Sequence, residues 1–244
     1  MLFRSLAENS GHSQYHGLQI SVERRVARGL HAGIGYTLSR TKDDSSNLTD
    51  VLPNAYDDSG YWGISDLDRT HVLIANWIYE LPFMQRRSDW AGRALGHWEV
   101  TGVYQYQSGA PFSVRSNDDF AGVGPGSGNQ FWNLVGDPNV DRGPFMASAQ
   151  WFNPAAFARP AAGTFGVQPR NTLRNPGTWN FDLGIRKSVP LTGNQQVQIR
   201  IEAFNVLNHP NWAAANNNPN SGSFGLVTGK TGERTIQLAM KYSF

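Results

Sequence analysis

The chain closes on RTIQLAMKYSF, residues 234–244, in which every second residue is apolar. The apolar members are Ile236, Leu238, Met240, Tyr242 and Phe244, and small or polar residues separate them. This strict period of two predicts a β-strand, because only a strand turns alternate residues to opposite faces. At about 3.3 Å per residue and a tilt of about 45°, such a strand is long enough to cross the hydrocarbon core of a bilayer.

The same alternation recurs in six earlier segments, so we predict seven strands and no helix. Those segments are residues 16–25, 30–39, 69–81, 98–107, 179–186 and 196–203. Residues 72–75 are all apolar, which leaves the facing of their segment ambiguous. We predict an all-β fold, an antiparallel up-and-down meander of about seven amphipathic strands in which each strand pairs with its sequence neighbour. The sheet is expected to be a partial transmembrane β-barrel with long outer loops, open at its first and last strands.

The connections between these segments alternate in length along the chain. Three are long, polar and without periodicity: residues 43–68, 116–177 and 208–233. The intervening connections are shorter. Transmembrane β-barrels have short turns on the periplasmic side and long loops on the outer side, so the alternation predicts this sidedness and a periplasmic C-terminus.

Aromatic residues group near both predicted ends of the strands. Tyr79, Phe83, Trp98 and Tyr242 are expected near the periplasmic ends, and Tyr104, Tyr106, Trp179 and Phe181 near the outer ends. Two aromatic girdles of this kind are typical of transmembrane barrels.

Composition excludes several other classes of protein. Charged residues make up 16% of the chain, aromatic residues 12%, and the mean hydropathy is −0.44. No run approaches the roughly 20 apolar residues that a transmembrane helix needs. A formal net charge of +2 is too small to indicate nucleic-acid binding. The absence of Cys excludes disulfides and thiolate metal sites.

No pattern of an enzyme or metal site stands out in the sequence. The six His are scattered, and no Ser-His-Asp set or carboxylate pair emerges. The loop 43–68 is rich in Asp, but its DDSSN stretch lacks the spacing of a calcium-binding loop, so we predict a solvated loop. We therefore expect no enzymatic activity, no bound metal and no cofactor.

The long loops carry aromatic residues that no predicted strand explains. They are Phe120, Phe131, Trp132, Phe145, Trp151, Phe152, Phe157 and Trp212. We expect about half of them to pack within the loops, since compact loops are stabilised by their own side chains. The loop 116–177 combines aromatic rings with Asn, Asp and Arg, a mixture typical of ligand sites. Phe131, Trp132 and Trp151 are therefore the candidate ligand contacts.

The hairpin around Leu191 allows a prediction of register. Matching the polar faces on either side of the turn places Asp182 opposite Arg200 and Arg186 opposite Gln196. An opposite-charge pair across two strands contributes about 0.2–1 kcal/mol and helps to fix the register. We expect Asp182 and Arg200 on the face that lines the barrel interior.

Several motifs point to one family of proteins. They are Asp68-Arg69-Thr70-His71, Trp151-Phe152-Asn153-Pro154-Ala155-Ala156-Phe157, Arg170-Asn171, Arg174-Asn175-Pro176-Gly177 and Glu202-Ala203-Phe204-Asn205-Val206-Leu207-Asn208. Together they resemble TonB-dependent outer-membrane receptors, most closely the Oar-like branch, whose full-length members carry a carboxypeptidase-regulatory-like domain before the plug. The likeness covers the C-terminal barrel strands of that family.

The resemblance implies a location in the bacterial outer membrane and a role in the uptake of a cargo. Residues 1–244 would form the C-terminal portion of the barrel, about the last third of a 22-stranded plugged barrel. We find no signal peptide, TonB box or plug, so we expect the remaining N-terminal strands and plug of a full receptor to provide contact with TonB. Outer-membrane lipid and the barrel-assembly machinery are the other implied partners. In that family the C-terminal strand is the assembly signal, which corresponds here to Tyr242 and Phe244.

Two alternatives also fit the alternating strands. A soluble or surface-attached β-sandwich that binds a ligand would hide the apolar faces, including Leu18, Ile34 and Val100, against a second sheet. A small complete barrel that acts as an adhesin or pore requires an even number of strands, whereas we count seven.

Overall fold

A computed structural model of the chain describes residues 10–27, 29–47, 52, 54, 57–84, 87, 89–124, 130–141 and 149–244. In chain order the strands are β1 (Ser13–Ala27), β2 (Leu30–Asp43), β3 (Gly63–Ile64), β4 (His71–Glu80), β5 (Trp98–Gln107), β6 (Pro111–Phe112), β7 (Arg115–Ser116), β8 (Gln130–Phe131), β9 (Asn133–Leu134), β10 (Phe157–Ala158), β11 (Leu173–Arg174), β12 (Thr178–Pro190), β13 (Gln196–Phe204), β14 (Asn211–Trp212), β15 (Lys230–Thr231) and β16 (Thr235–Ser243). Among these residues an α-helix, α1 (Trp90–Leu95), lies between β4 and β5, and 3-10 turns span Ser59–Tyr61 and Pro154–Ala156.

The seven long strands form one antiparallel sheet in the order β1-β2-β4-β5-β12-β13-β16. Each long strand therefore pairs with the long strands before and after it in the chain, which confirms the predicted meander. The short strand β3 adds to the end of β2. Within the described residues, β1 and β16 each pair with a single strand, so the sheet is open as expected.

The strand registers place the apolar residues on one continuous face. Leu18 lies opposite Leu38 on the first pair of strands, and Ile201 lies opposite Leu238 on the last. No second sheet covers this face among the described residues, since Leu18 is 56% exposed and Leu238 74% exposed. A β-sandwich would bury these side chains, so the sandwich alternative is wrong, whereas an uncovered apolar face is what a lipid-facing sheet requires.

Strand β4, whose facing was ambiguous in the sequence, is apolar on both sides. Trp77 and Tyr79 lie on the continuous apolar face, while Ile74 and Ile78 point the other way. Trp77 lies opposite Gly102 of β5, and a Cβ atom on that glycine would come within 2.1 Å of the indole. Gly102 therefore makes room for Trp77, whose ring centre lies 5.7 Å from that of Phe181.

The opposite face of the sheet is largely polar. Arg186 forms an ion pair with Glu99, which lies directly opposite it on β5. The side chain of Asn180 donates a hydrogen bond of 2.5 Å to Asp182 on the same strand. These partners satisfy charged and amide groups that would be costly in lipid, so this face is the one suited to the barrel interior.

The predicted register of the β12–β13 hairpin is wrong by four residues. Arg186 lies opposite Arg200, and Pro190 lies opposite Gln196. The turn centres on Gly193, whose φ of +68° favours glycine, rather than on Leu191. A shift by an even number of residues leaves the facing unchanged, so Asp182 and Arg200 still share the polar face.

Helix α1 is an element that the sequence analysis did not predict. It is capped by Asp89, whose carboxylate accepts a hydrogen bond of 2.9 Å from the backbone N–H of Gly92. The indole of Trp98 donates a bond of 3.3 Å to the backbone oxygen of Ala94, which ties the helix to the start of β5. Helix α1 therefore lies at the short-turn end of the sheet, the same end as the C-terminus.

Candidate functional site in the outer loops

The main hydrophobic core of the described chain lies in its long connections, not in its sheet. We call the folded part of residues 44–70, 108–177 and 205–234 the loop assembly. Its buried apolar members are Phe112, Val114, Phe152, Ala156, Phe157, Leu173, Ala215 and Val227. Trp132, Leu134, Trp151, Trp212 and Phe224 pack around them. Segments that show no periodicity in sequence thus fold into a compact body at one end of the sheet.

Phe152 is the central aromatic ring of this core. It is 1% exposed, and its ring centre lies 5.8 Å from that of Phe112 and 5.2 Å from that of Phe224. A further edge-on contact joins it to Phe157 at 5.6 Å. Because these partners come from two separate segments of the chain, one ring holds the second and third long loops together.

A buried ion pair fastens the loop assembly to the sheet. The guanidinium of Arg170 pairs with the carboxylate of Asp43, the last residue of β2, and their side chains are 5% and 4% exposed. Arg170 also donates a hydrogen bond of 2.7 Å to the backbone oxygen of Asp43 and one of 2.6 Å to the hydroxyl of Ser46. The loop 116–177 is thereby fixed to the outer end of β2.

Two further polar side chains extend this connection, and we call Arg170, Asn171 and Arg174 with their acidic partners the polar latch. The side-chain amide of Asn171 donates to the backbone oxygen of Ile64 at 2.6 Å and to Asp66 at 2.5 Å. Arg174 donates to Asp68 at 2.5 Å. The partners are more than 100 residues apart in the chain, so the latch joins the first long loop to the second.

The latch also determines the ionisation of Asp68. Burial alone would raise the pKa of this carboxyl group, but hydrogen bonds from Arg174 and from the backbone N–H of Thr41 outweigh burial and hold the pKa below its usual range. Asp43 is 3% exposed and Asp68 is fully buried. The prediction of a solvated acidic loop is therefore wrong at these two positions.

The structure places the three predicted ligand-contact residues within or against the loop core. Phe131 is 7% exposed, and its ring lies 5.7 Å from that of Tyr61. Trp132 is half-buried and donates a hydrogen bond of 3.1 Å to Ser116. Trp151 is half-buried and donates one of 2.5 Å to the backbone oxygen of Arg174. Trp132 and Trp151 thus pack on the same core and keep part of their indole surfaces accessible.

The other loop aromatics are distributed in the same way. Phe120, Phe152 and Phe157 are buried, and Trp212 is half-buried. Phe145 lies outside the described residues. More of these rings pack within the loops than the half that was expected.

Sequence reasoning did not identify the polar latch as part of the site. The sequence feature that could have revealed the latch is the acidic loop at 43–68, which has no Lys or Arg, together with the two arginines in the motifs at 170–174. Within the described residues, no group of three or more His, Cys, Asp or Glu side chains is arranged to hold a metal ion. The structure describes no helix with the length and apolarity needed to span a membrane.

Comparison with known protein families identifies the family of the chain. A family model described as an outer membrane beta barrel domain matches residues 4–237 of the chain. No curated protein matches it.

Proposed function

Since the chain belongs to the outer membrane beta barrel domain family and is located in the bacterial outer membrane, we propose that it is part of the barrel of a TonB-dependent receptor of the Oar-like branch. Its role is the uptake of a cargo from outside the cell. The observation that carries the proposal is the loop assembly, in which the second and third long loops share one packed core and the polar latch joins the first long loop and the end of β2 to the second. A receptor needs such a preformed surface, because ordering mobile loops on binding reduces affinity.

The location of the family-like motifs supports the same function. Arg170-Asn171 and Arg174 form the latch, and Asp68 accepts from Arg174. The motif that starts at Trp151 contains Phe152, the central ring of the core. The motifs at Asp68, Trp151, Arg170 and Arg174 therefore build the loop assembly, whereas the motif that starts at Glu202 begins in strand β13.

The polar face of the sheet fits a barrel whose interior is occupied or wet. Gln105 and Gln107 of β5 lie on that face together with the Glu99–Arg186 pair. A plug inside a transporter barrel needs polar groups to contact, and so does a water-filled channel. Energy dependence separates these two modes of transport.

The test is a genetic comparison in the bacterium that encodes the protein. A strain with the gene deleted and a strain without TonB are grown on a panel of single nutrient sources, with the intact gene restored as the control. We expect every condition in which the deletion strain grows poorly to be one in which the TonB strain also grows poorly. A growth defect of the deletion strain that is absent from the TonB strain indicates passive permeation and overturns the proposal.

Replacing Trp132 with alanine in the complete protein separates ligand contact from packing. The indole is half-buried at the border of the core, so we expect surface abundance near that of the wild type. We expect the variant to grow as poorly as the deletion strain on the same nutrient sources. Trp151→Ala is expected to behave alike. Phe131→Ala removes a buried ring and is expected to lower surface abundance as well. Unchanged growth, or a parallel fall in growth and abundance for both tryptophans, assigns them to packing alone.

Deleting Phe244 is expected to lower the amount of the complete protein in the outer membrane without changing the function of molecules that insert. Phe244 is 93% exposed, and its ring centre lies 5.8 Å from that of Tyr242, which pairs with Val197. This uncovered aromatic end of β16 is free to be recognised during assembly. The measurement is the quantity of folded protein in isolated outer membranes, with Ser243→Ala as the control. Wild-type amounts of the deletion variant contradict the assembly role of Phe244.

A further inference from the structure

Helix α1 and the sheet enclose a groove on the apolar face, at the short-turn end of the barrel segment. Trp90 and Arg93 of the helix form one wall, and Ile185, Val189 and Ile199 of β12 and β13 form the other. The groove has a volume of about 510 Å³. This volume lies within the range of about 300–1,000 Å³ that is usual for small-molecule sites.

Two cations lie at this groove, although the strand face beside it is apolar. Arg93 is exposed in the last turn of α1. The ammonium of Lys187 lies 5.5 Å from the ring centre of Trp98 and donates to the backbone oxygen of Gly96. Neither side chain forms an ion pair with a carboxylate in the part of the chain that the structure describes. Lys187 is 6% exposed and its ammonium is bound to Gly96, so the exposed guanidinium of Arg93 is the positive charge that a ligand can contact directly. The groove therefore combines apolar walls with one accessible positive charge.

The groove lies at the height of a membrane interface. Lys187 is opposite Trp98 at the first position of β5, and the neighbouring β13 pairs near the same end with Tyr242. Trp90 is 81% exposed and Leu95 is 53% exposed, so α1 presents apolar surface to its surroundings. Tryptophan and tyrosine concentrate where lipid headgroups meet the hydrocarbon. A lysine on the lipid-facing side is costly at the midplane and much less so near the interface, so Lys187 is tolerated here.

We propose that this groove binds one anionic phospholipid of the periplasmic leaflet. An acyl chain lies along Ile185, Val189 and Ile199, and the phosphate is held by Arg93 with Lys187 beside it. Phospholipid matches the groove because it combines long apolar chains with a negative charge at interface depth. The inference rests on the outer-membrane family of the chain and not on the TonB-dependent role, so either can fail without the other.

The test is lipid binding by the complete protein after removal of lipid in detergent. Native mass spectrometry follows titration with dioleoyl phosphatidylglycerol and, separately, with dioleoylglycerol, which has the same chains but no phosphate. We expect one tightly retained phosphatidylglycerol and no comparable retention of dioleoylglycerol. Equal retention of both compounds overturns the role assigned to the phosphate, and a lipid-free dimer shows that a second copy occupies the groove instead.

Variants locate the binding to these residues. Arg93→Gln changes an exposed side chain and leaves the sheet intact, and the double variant Arg93→Gln with Lys187→Met removes both charges. Because the double variant removes the charge that contacts the phosphate and the one beside it, it is expected to bind phosphatidylglycerol at least about tenfold more weakly. The matched control is Arg25→Gln with Lys241→Met, which removes the same charges from exposed positions away from the groove and is expected to bind as the wild type does. Wild-type binding by both Arg93→Gln and the double variant overturns the proposal.

Discussion

Replacing Arg170 with methionine is expected to open the loop assembly while the sheet stays paired. The change leaves the carboxylate of Asp43 buried without its cation, and both side chains are at most 5% exposed. Breaking a buried ion pair by removing one partner costs about 3–5 kcal/mol. Proteolysis of the complete protein in micelles by proteinase K measures the effect, because cleavage follows the population of the opened loops. We expect cleavage within the loops to be at least about 100-fold faster.

Two further variants test whether the pair itself is responsible. Arg25→Met breaks the exposed pair between Arg25 and Glu23, whose side chains are 86% and 49% exposed, and is expected to change stability by less than about 1 kcal/mol. Adding Asp43→Leu to Arg170→Met removes the stranded carboxylate and is expected to restore much of the protection. Wild-type protection in Arg170→Met means that the latch does not hold the loops.

Replacing Phe152 with alanine is expected to have an effect of similar size through a different mechanism. The ring is 1% exposed and contacts three other phenylalanine rings, so its removal leaves a cavity at the centre of the loop core. Truncating a buried phenylalanine costs about 3–5 kcal/mol. Rapid loop proteolysis with an unchanged far-ultraviolet circular dichroism spectrum is the expected combination, since the long strands are paired independently of this ring.

The control for this variant comes from the same loop assembly. Val167 is 76% exposed, so Val167→Ala is expected to change stability by less than about 0.5 kcal/mol. Equal protease resistance of Phe152→Ala and Val167→Ala contradicts the central role of the phenylalanine. Loss of the strand signal in Phe152→Ala shows instead that the loops and the sheet unfold together.

The strands could be predicted from the sequence because their pattern is local. Alternation at residues 234–244 is enough to identify β16, and the same reasoning identifies the other six long strands. The predicted strand boundaries were less accurate, since β1 spans Ser13–Ala27 rather than residues 16–25. Pairing with β2 extends β1 beyond the residues that alternate most clearly.

Features that depend on a single turn were harder to predict. The register of β12 and β13 depends on where the turn bends, and Gly193 with positive φ moved it by two residues from Leu191. Helix α1 has only six residues, too few for a helical period to stand out from the surrounding connection. Its N-cap at Asp89 was the one local signal.

The polar latch could not be predicted from any local pattern. Arg170 and Asp43 are 127 residues apart, and each lies in a segment without periodicity. An arginine in a polar loop and an aspartate at the end of a strand are both ordinary surface residues until the fold brings them together. The same holds for Phe131, whose burial depends on the distant Tyr61.

The placement of the second long loop has a consequence for the order of folding. Strands β5 and β12 are neighbours in the sheet, yet residues 108–177 separate them in the chain. Closing a loop of that length costs about 2 kcal/mol more in chain entropy than closing the five residues between β12 and β13. The short ladder in which Pro111 pairs with Arg174 begins just beyond the last pair of β5 and β12. If the loop core forms first, it brings the end of β5 and the start of β12 together before these strands pair. The pairing of β5 with β12 then needs no closure of a long loop and resembles the closing of a hairpin.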